Sequence, residues 1–225
     1  MAKCSTIDFA TDGALLFKGA LKPCMAELTA ALADLPPDEA GMRIHGIDAL
    51  KPLLAGTGCI GTVAASVLGE GSRPVRAILF NKSPETNWSL AWHQDRTICV
   101  KEKREVPGFG PWTVKSGMLH VAPPIELLGR MVTLRAHLDD VPATNAPLLN
   151  ATGSHTFGRI PVSDVEEIVG RCGTRLCLAE AGDVWLYATL ILHASEAALA
   201  PIRRRVFQVD FAAETLPNGL EWLGV

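Results

Sequence analysis

The sequence predicts a mainly β fold, a sandwich or barrel with helices gathered toward its N-terminal side. Three observations carry that expectation. From Pro74 onward, short runs rich in β-branched and aromatic residues are punctuated by Gly, Pro and Asn, as successive strands are. Helical periodicity is concentrated ahead of that point. The 225 residues suffice for one hydrophobic core, so a single domain over 1–225 is expected, with 1–72 mostly helical and 73–225 forming the β core.

Residues 25–35 place Met25, Leu28, Leu32 and Leu35 on one helical stripe, and Pro36-Pro37 stops it. Residues 48–54 and 60–68 read as two shorter helices about the loop Gly56-Thr57-Gly58. Strands are expected at 75–80, 89–94, 97–100, 112–115, 131–138, 176–178, 184–187 and 204–211. One helix interrupts them: Ser163 and Glu166 have the spacing of a capping box, opening a helix over 165–171 that Gly173 ends.

Two strands carry information in their parity. Thr133, Arg135 and His137 share the face opposite Val132, Leu134, Ala136 and Leu138. Arg204, Val206, Gln208 and Asp210 share the face opposite Arg205, Phe207, Val209 and Phe211. Polar faces of this kind are ordinarily wet in antiparallel sheets. The other arrangement turns them inward to line a cavity in the mouth of a barrel.

The formal charge is −3 with both signs scattered, which leaves no field for nucleic acid or an anionic membrane. A small-molecule partner is expected instead. No apolar run reaches the roughly 18–20 residues of a membrane span. The six cysteines are Cys4, Cys24, Cys59, Cys99, Cys172 and Cys177, without C-x-x-C spacing, and no secretory h-region opens the chain. Reduced, mostly buried thiols in a cytoplasmic protein are therefore expected. Oligomeric state is not legible in the sequence.

Chemistry enters at Trp92-His93-Gln94-Asp95. In an extended segment His93 and Asp95 project to the same side, a neutral imidazole beside a carboxylate, which is half of a metal site. A second histidine, His193, would complete a two-histidine, one-carboxylate face that leaves coordination positions open on non-haem Fe(II). The triplet alone is weak: about 0.6 such His-x-acid triplets are expected by chance from 6 His and 24 acidic residues in 225 positions. It occurs twice, the competitor being His137-Leu138-Asp139.

The ordered set of motifs is more specific. Trp92-His93-Gln94-Asp95 is followed by Leu138-Asp139-Asp140, Asn145-Ala146-Pro147-Leu148, Gly153-Ser154-His155, Gly182-Asp183-Val184 and His193-Ala194-Ser195, then Arg203-Arg204-Arg205. In this the chain resembles the phytanoyl-CoA dioxygenase family of Fe(II)- and 2-oxoglutarate-dependent oxygenases, over residues 80–211. The resemblance implies a double-stranded β-helix, a jelly-roll or cupin-like barrel with flanking helices. It implies His93, Asp95 and His193 as metal ligands, with His137 and Asp139 as neighbours only. It also implies Arg204, rather than Arg203 or Arg205, as the residue for the far carboxylate of 2-oxoglutarate, with Ser195 beside it. Fe(II), 2-oxoglutarate and O2 would then be cofactor and cosubstrates in the hydroxylation of a small molecule. The chain departs from the family pattern at Ala146 and Thr152, both turn positions.

Other pocket candidates are Trp112, which matches an aromatic position flanking the site in some members, and Arg135 and His120. Arg96 and Arg104 join Arg135 as cations suited to an anionic or polar substrate. Asn81 and Lys82 end a strand just before the metal segment, where they either reach the cosubstrate or, more commonly for such residues, form a solvated turn, and residues 101–111 read as either a mobile loop over the site or a connector. The competing functions are a cupin-like metal-binding protein and a Zn2+ or Mn2+ hydrolase or isomerase, neither of which needs a cation for a dicarboxylate.

Overall fold

A computed structural model describes residues 8–225. Its framework is a pair of antiparallel sheets. The larger runs β1 (Ala14–Phe17), β11 (Val184–Ala188), β8 (Val132–His137), β13 (Arg204–Ala212), β3 (Arg73–Lys82), β2 (Gly41–Ile44). The smaller runs β10 (Thr174–Cys177), β9 (Leu148–Ala151), β12 (His193–Ser195), β4 (Leu90–His93). A third sheet of β5 (Ile98–Val100), β7 (Met118–Val121) and β6 (Trp112–Lys115) stands beside them. From β3 onward the chain passes between the two main sheets at every step except β9 to β10, with the third sheet inserted after β4, a crossing pattern of the jelly-roll type.

The β8 and β13 parity decides which side is which. Leu134, Ala136, Phe207, Val209 and Phe211 pack against Leu21, Leu28, Leu50, Leu54 and Ile60, so the N-terminal helices cover the outer face of the large sheet. The opposite face, with Thr133, Arg135, His137, Arg204, Gln208 and Asp210, is buried inside the barrel, not wet. Pairing of Val206 with His137 and Gln208 with Arg135 aligns these polar residues across the two strands. A second core of Ile98, Val121, Leu128 and Leu220 holds the third sheet.

Several expectations are corrected. The first helix is Met25–Ala31 and ends before Leu35, while 48–54 splits into a 3-10 turn, Asp48–Leu50, and Lys51–Leu54. The N-terminal part is not only helical: β1 and β2 are four-residue edge strands of the large sheet, too short for alternation to register. β7, β9, β12 and the helices Phe9–Asp12 and Ile125–Gly129 likewise go beyond the expected elements. The capping box at Ser163 does not form; a 3-10 turn, Val162–Asp164, leads into the helix Val165–Cys172, and the Ser163 hydroxyl donates to Asp164. Cys24 and Cys59 are joined in a disulfide, their Cα atoms 6.5 Å apart, where reduced thiols were expected. Cys99 and Cys177 are free and buried, Cys172 free and half-buried, and Cys4 lies outside the described residues. No helix of the described residues is long and apolar enough to cross a membrane.

Phe207 is fully buried where the sheet meets the helices. Phe207→Ala is expected to lower unfolding free energy by about 3–5 kcal/mol, measured by urea titration. A change under about 1 kcal/mol would contradict this packing.

Candidate active site

The site is built where β4 meets β12. Antiparallel pairing sets His193 directly opposite His93, their ring centroids 4.3 Å apart. Each ring places Nδ1 against the carbonyl two residues earlier, His93 on Ala91 O at 2.8 Å and His193 on Ile191 O at 3.0 Å. A carbonyl only accepts, so Nδ1 carries the proton and each Nε2 keeps a lone pair. Burial and the neighbouring His93 push His193 down to about 4, so its ring is neutral at pH 7.

Gln94 explains why the intervening side chain points away. Its amide donates to Gly158 O (2.8 Å) and Leu190 O (2.7 Å) and accepts from Ile160 N (2.9 Å). Anchored outward, Gln94 leaves His93 and Asp95 facing the barrel interior. Burial raises the Asp95 carboxyl, but Arg76 and the two histidines outweigh it and hold it at about 2. Arg76 is the bridge: Nη2 lies 3.2 Å from Asp95 Oδ2 and Nε 2.5 Å from Asp210 Oδ2. The Thr133 hydroxyl donates to the other Asp210 oxygen at 3.0 Å.

Two imidazole lone pairs and an ionised carboxylate are the protonation states a divalent transition metal requires. Nδ1–H to backbone carbonyl is the support such imidazole ligands ordinarily have. Among the described residues no three His, Cys, Asp or Glu side chains already close around one point. The carboxylate of Asp95 rests on Arg76.

These groups open into a cavity of about 450 Å³ between the two main sheets, lined among others by Arg76, His93, Asp95, Arg135, His193 and Ser195. Beyond Ser195 lies a fully buried cationic cluster. Lys82 Nζ is 3.2 Å from Ser195 Oγ and 2.7 Å from Glu196 O, so Lys82 is no solvated turn; it is 2% exposed. Burial, then Arg204 and Arg135, pull its ammonium down to about 8. Arg204 is 1% exposed, donates from Nη1 to Ala146 O, and keeps Nε and Nη2 without a partner. Both ring nitrogens of the adjacent His137 and Asn145 Nδ2 are also unpaired. A buried cluster of donors without acceptors is costly unless a ligand supplies them.

Strand alternation chooses Arg204 from the arginine run. Arg205 turns outward and forks onto Asp139, Nε to Oδ2 at 2.9 Å and Nη2 to Oδ1 at 2.7 Å. Arg203 faces a separate surface pocket beside Pro36 and Leu138. Arg135 lines the cavity, with Nη1 donating to Gln208 Oε1 at 3.0 Å and its guanidinium 5.2 Å from the Phe80 ring centre. Trp112 and His120, expected at the pocket, are placed elsewhere. Trp112 packs on the second core, and His120, fully buried on β7, does not line the cavity. Residues 101–111 bury Val106 and pack Phe109 on that same core, and none of them lines the cavity, as a connector would. Arg104 pairs with exposed Glu102, while Arg96 lines the cavity and donates to Ile160 O at 2.5 Å.

The family model described as phytanoyl-CoA dioxygenase (PhyH) matches residues 9–206. The chain belongs to the phytanoyl-CoA dioxygenase family. No curated protein matches it in sequence. Among solved structures, EctD from S. alaskensis with 2-oxoglutarate and 5-hydroxyectoine is similar at TM-score 0.66 and 18% identity, covering 100% of this chain and 82% of that one. The non-heme alpha ketoglutarate dependent epimerase SnoN follows at TM-score 0.64 and 16% identity, covering 94% and 87%. HygX from Streptomyces hygroscopicus with nickel and 2-oxoglutarate bound has TM-score 0.57 and 16% identity, covering 91% and 84%.

In this phytanoyl-CoA dioxygenase family member the remaining motifs hold turns. Ser154 Oγ accepts from Leu192 N at 2.8 Å, fixing the approach to His193. Gly153 has φ +78°, and a Cβ there would lie 2.9 Å from Thr11 O. Asp183 ties Gly19 N (2.7 Å) and Glu180 N (3.0 Å) ahead of β11. Lys82, Arg76 and Gln94 are the residues that sequence reasoning missed or misread; the inward parity of β3 was the available signal for Arg76 and Lys82.

Arg76→Gln leaves two carboxylates without their shared cation and is expected to cost about 3–5 kcal/mol of stability by urea titration. Adding Asp210→Asn should recover about 1 kcal/mol or more through the coupling of the pair. Strict additivity of the two losses would show that the bridge is not formed.

Proposed function

We propose that the chain is an Fe(II)- and 2-oxoglutarate-dependent dioxygenase that hydroxylates a small molecule. The observation that carries the reading is Arg204: a fully buried guanidinium on the large sheet with no carboxylate partner among the described residues, in the same barrel whose small sheet pairs His93 with His193. A buried cation of this kind calls for an anion that the chain itself does not supply. A metal hydrolase or a passive metal-binding barrel has no use for it.

His93, His193 and Asp95 would hold Fe(II), and three protein ligands leave the other positions free for the cosubstrate and O2. When bound, the iron supplies the activation of O2 that no side chain can provide. The protein's residues do the rest. Arg204 offers its fork, Lys82 a point charge and Ser195 a hydroxyl to the far carboxylate of 2-oxoglutarate. Arg76 keeps Asp95 ionised and oriented. Gln94 and Ser154 hold the two histidine-bearing segments in place, and the apolar wall of Phe80 and Trp88 limits water in the cavity. Similarity to structures described with Fe, nickel or 2-oxoglutarate bound supports the same choice of metal and cosubstrate.

Arg204→Ala is expected to weaken 2-oxoglutarate binding by about 30-fold or more, the loss of one buried charge-assisted partner, with metal affinity within twofold. Calorimetry with Mn(II) in place of Fe(II) reads both, and unchanged 2-oxoglutarate affinity would refute the cosubstrate site. Succinate release with Fe(II), and incorporation of 18O from O2 into product, separate hydroxylation from the epimerisation that SnoN performs.

Affinity for 2-oxoglutarate is also expected to fall as pH rises through about 8. Lys82 is cationic below that value, and an anion is bound less well once the proton leaves. Lys82→Met should flatten this limb of the profile, and a profile unchanged by the substitution would remove Lys82 from the site.

A further inference from the structure

The cavity is strongly cationic although the chain as a whole carries −3. Its lining contains Arg43, Arg76, Arg96, Lys115 and Arg135 against a single carboxylate, Asp95. That carboxylate and Asp210 are both engaged by Arg76. Arg135 lies at the Arg204 and Lys82 end, where it depresses both groups and where the cosubstrate is assigned. Arg43, Arg96 and Lys115 remain, and among the described residues none of them pairs with a carboxylate.

Arg43 is the informative one. Strand β2 turns Met42 and Ile44 into the helix-covered core, so Arg43 projects to the barrel side, opposite Ile78. It is half-buried, its Nε is buried without a partner, and its one side-chain contact is a long one, Nη1 to Ser116 Oγ at 3.5 Å. Burial and Arg76 both pull its pKa down, and the charge of Asp95 reaches it. Lys115 precedes that same Ser116 in the β6–β7 turn, and His120 feels the charge of both Arg43 and Lys115. Two groups of cations therefore serve the site: Lys82 with Arg204 opposite it, buried behind Ser195, and Arg43 with Lys115, which line the cavity itself. Phe80, Trp88 and Leu90 add apolar wall to the same cavity.

We infer that Arg43 and Lys115 form an oxyanion subsite for the substrate, a small organic acid or phosphate ester whose apolar body rests on Phe80 and Trp88. Arg96, which also lines the cavity, adds field. An enclosed site lined by one sign of charge concentrates ligands of the other sign. The assignment deepens the oxygenase reading and rests on it for the word substrate. The oxyanion site itself does not.

The test compares hexanoate with its neutral isostere hexanamide by ligand-observed NMR titration, in the presence of Mn(II) and saturating 2-oxoglutarate. Hexanoate should bind at least tenfold more tightly than hexanamide. Arg43→Gln should erase that preference while leaving 2-oxoglutarate affinity within twofold, and Arg43→Lys should restore part of it. Lys115→Gln, on an exposed turn, gives the same reading should Arg43→Gln fail to fold. Hexanoate that binds no better than hexanamide, or whose preference survives both substitutions, overturns the subsite. If 2-oxoglutarate itself does not bind, the oxygenase reading falls. The Arg43 dependence of hexanoate binding then still decides the subsite.

Discussion

The pairing of β4 with β12 is the constraint on which everything else rests. It joins two short strands separated by about a hundred positions and sets His93 directly across from His193. Neither strand is long enough to be stable alone, and each is braced from outside the site. Gln94 anchors the end of β4 to the 158–160 loop and to Leu190, while Ser154 receives the amide of Leu192 just before β12. The helix Val165–Cys172 packs Val165 and Ile168 with Leu192 and Trp92, closing the same corner. Ring positions are thus set by backbone pairing and by hydrogen bonds and packing outside the histidine pair itself.

Charge is sorted with the same economy. The interior gathers cations, and its two carboxylates share Arg76 in place of neutralising the others. Asp95 thereby stays ionised between one guanidinium and two imidazoles. Among the described residues, the cations left without a carboxylate fall in two groups, Arg43 and Lys115 lining the cavity and Arg204 with Lys82 buried behind Ser195. The burial of Arg204 and Lys82 without counterions opposes folding, so the free energy it costs is recovered when an anion binds. A barrel of this type is expected to gain stability from its ligands.

Much of this was legible in the sequence because strand parity is a strong signal. The β8 and β13 alternation correctly separated Arg204 from Arg205 and showed two polar faces. It could not say whether those faces were wet. That depended on which side the N-terminal helices cover, a tertiary fact. Lys82 was misread for the same reason: a lysine after asparagine at a strand end is normally solvated, and only the β3–β13 pairing, with Arg204 opposite Lys82, draws it inside. Arg76 and Gln94 carry no motif of their own, and their roles appear only once their partners, distant in sequence, are in place. Trp112 was misplaced by position relative to the metal pair, because β6 belongs to the third sheet and packs on a separate core. The Cys24–Cys59 bridge spans 35 positions and has no local signature.

The most direct measurement is anomalous diffraction from crystals grown without O2 in Mn(II) and 2-oxoglutarate. A single peak is predicted within about 2.0–2.3 Å of Nε2 of His93, Nε2 of His193 and one oxygen of Asp95. The far carboxylate of the bound dicarboxylate should lie on Arg204. A metal peak away from the two histidines, or a dicarboxylate whose far end points at Arg43, would contradict the assignment of the centre.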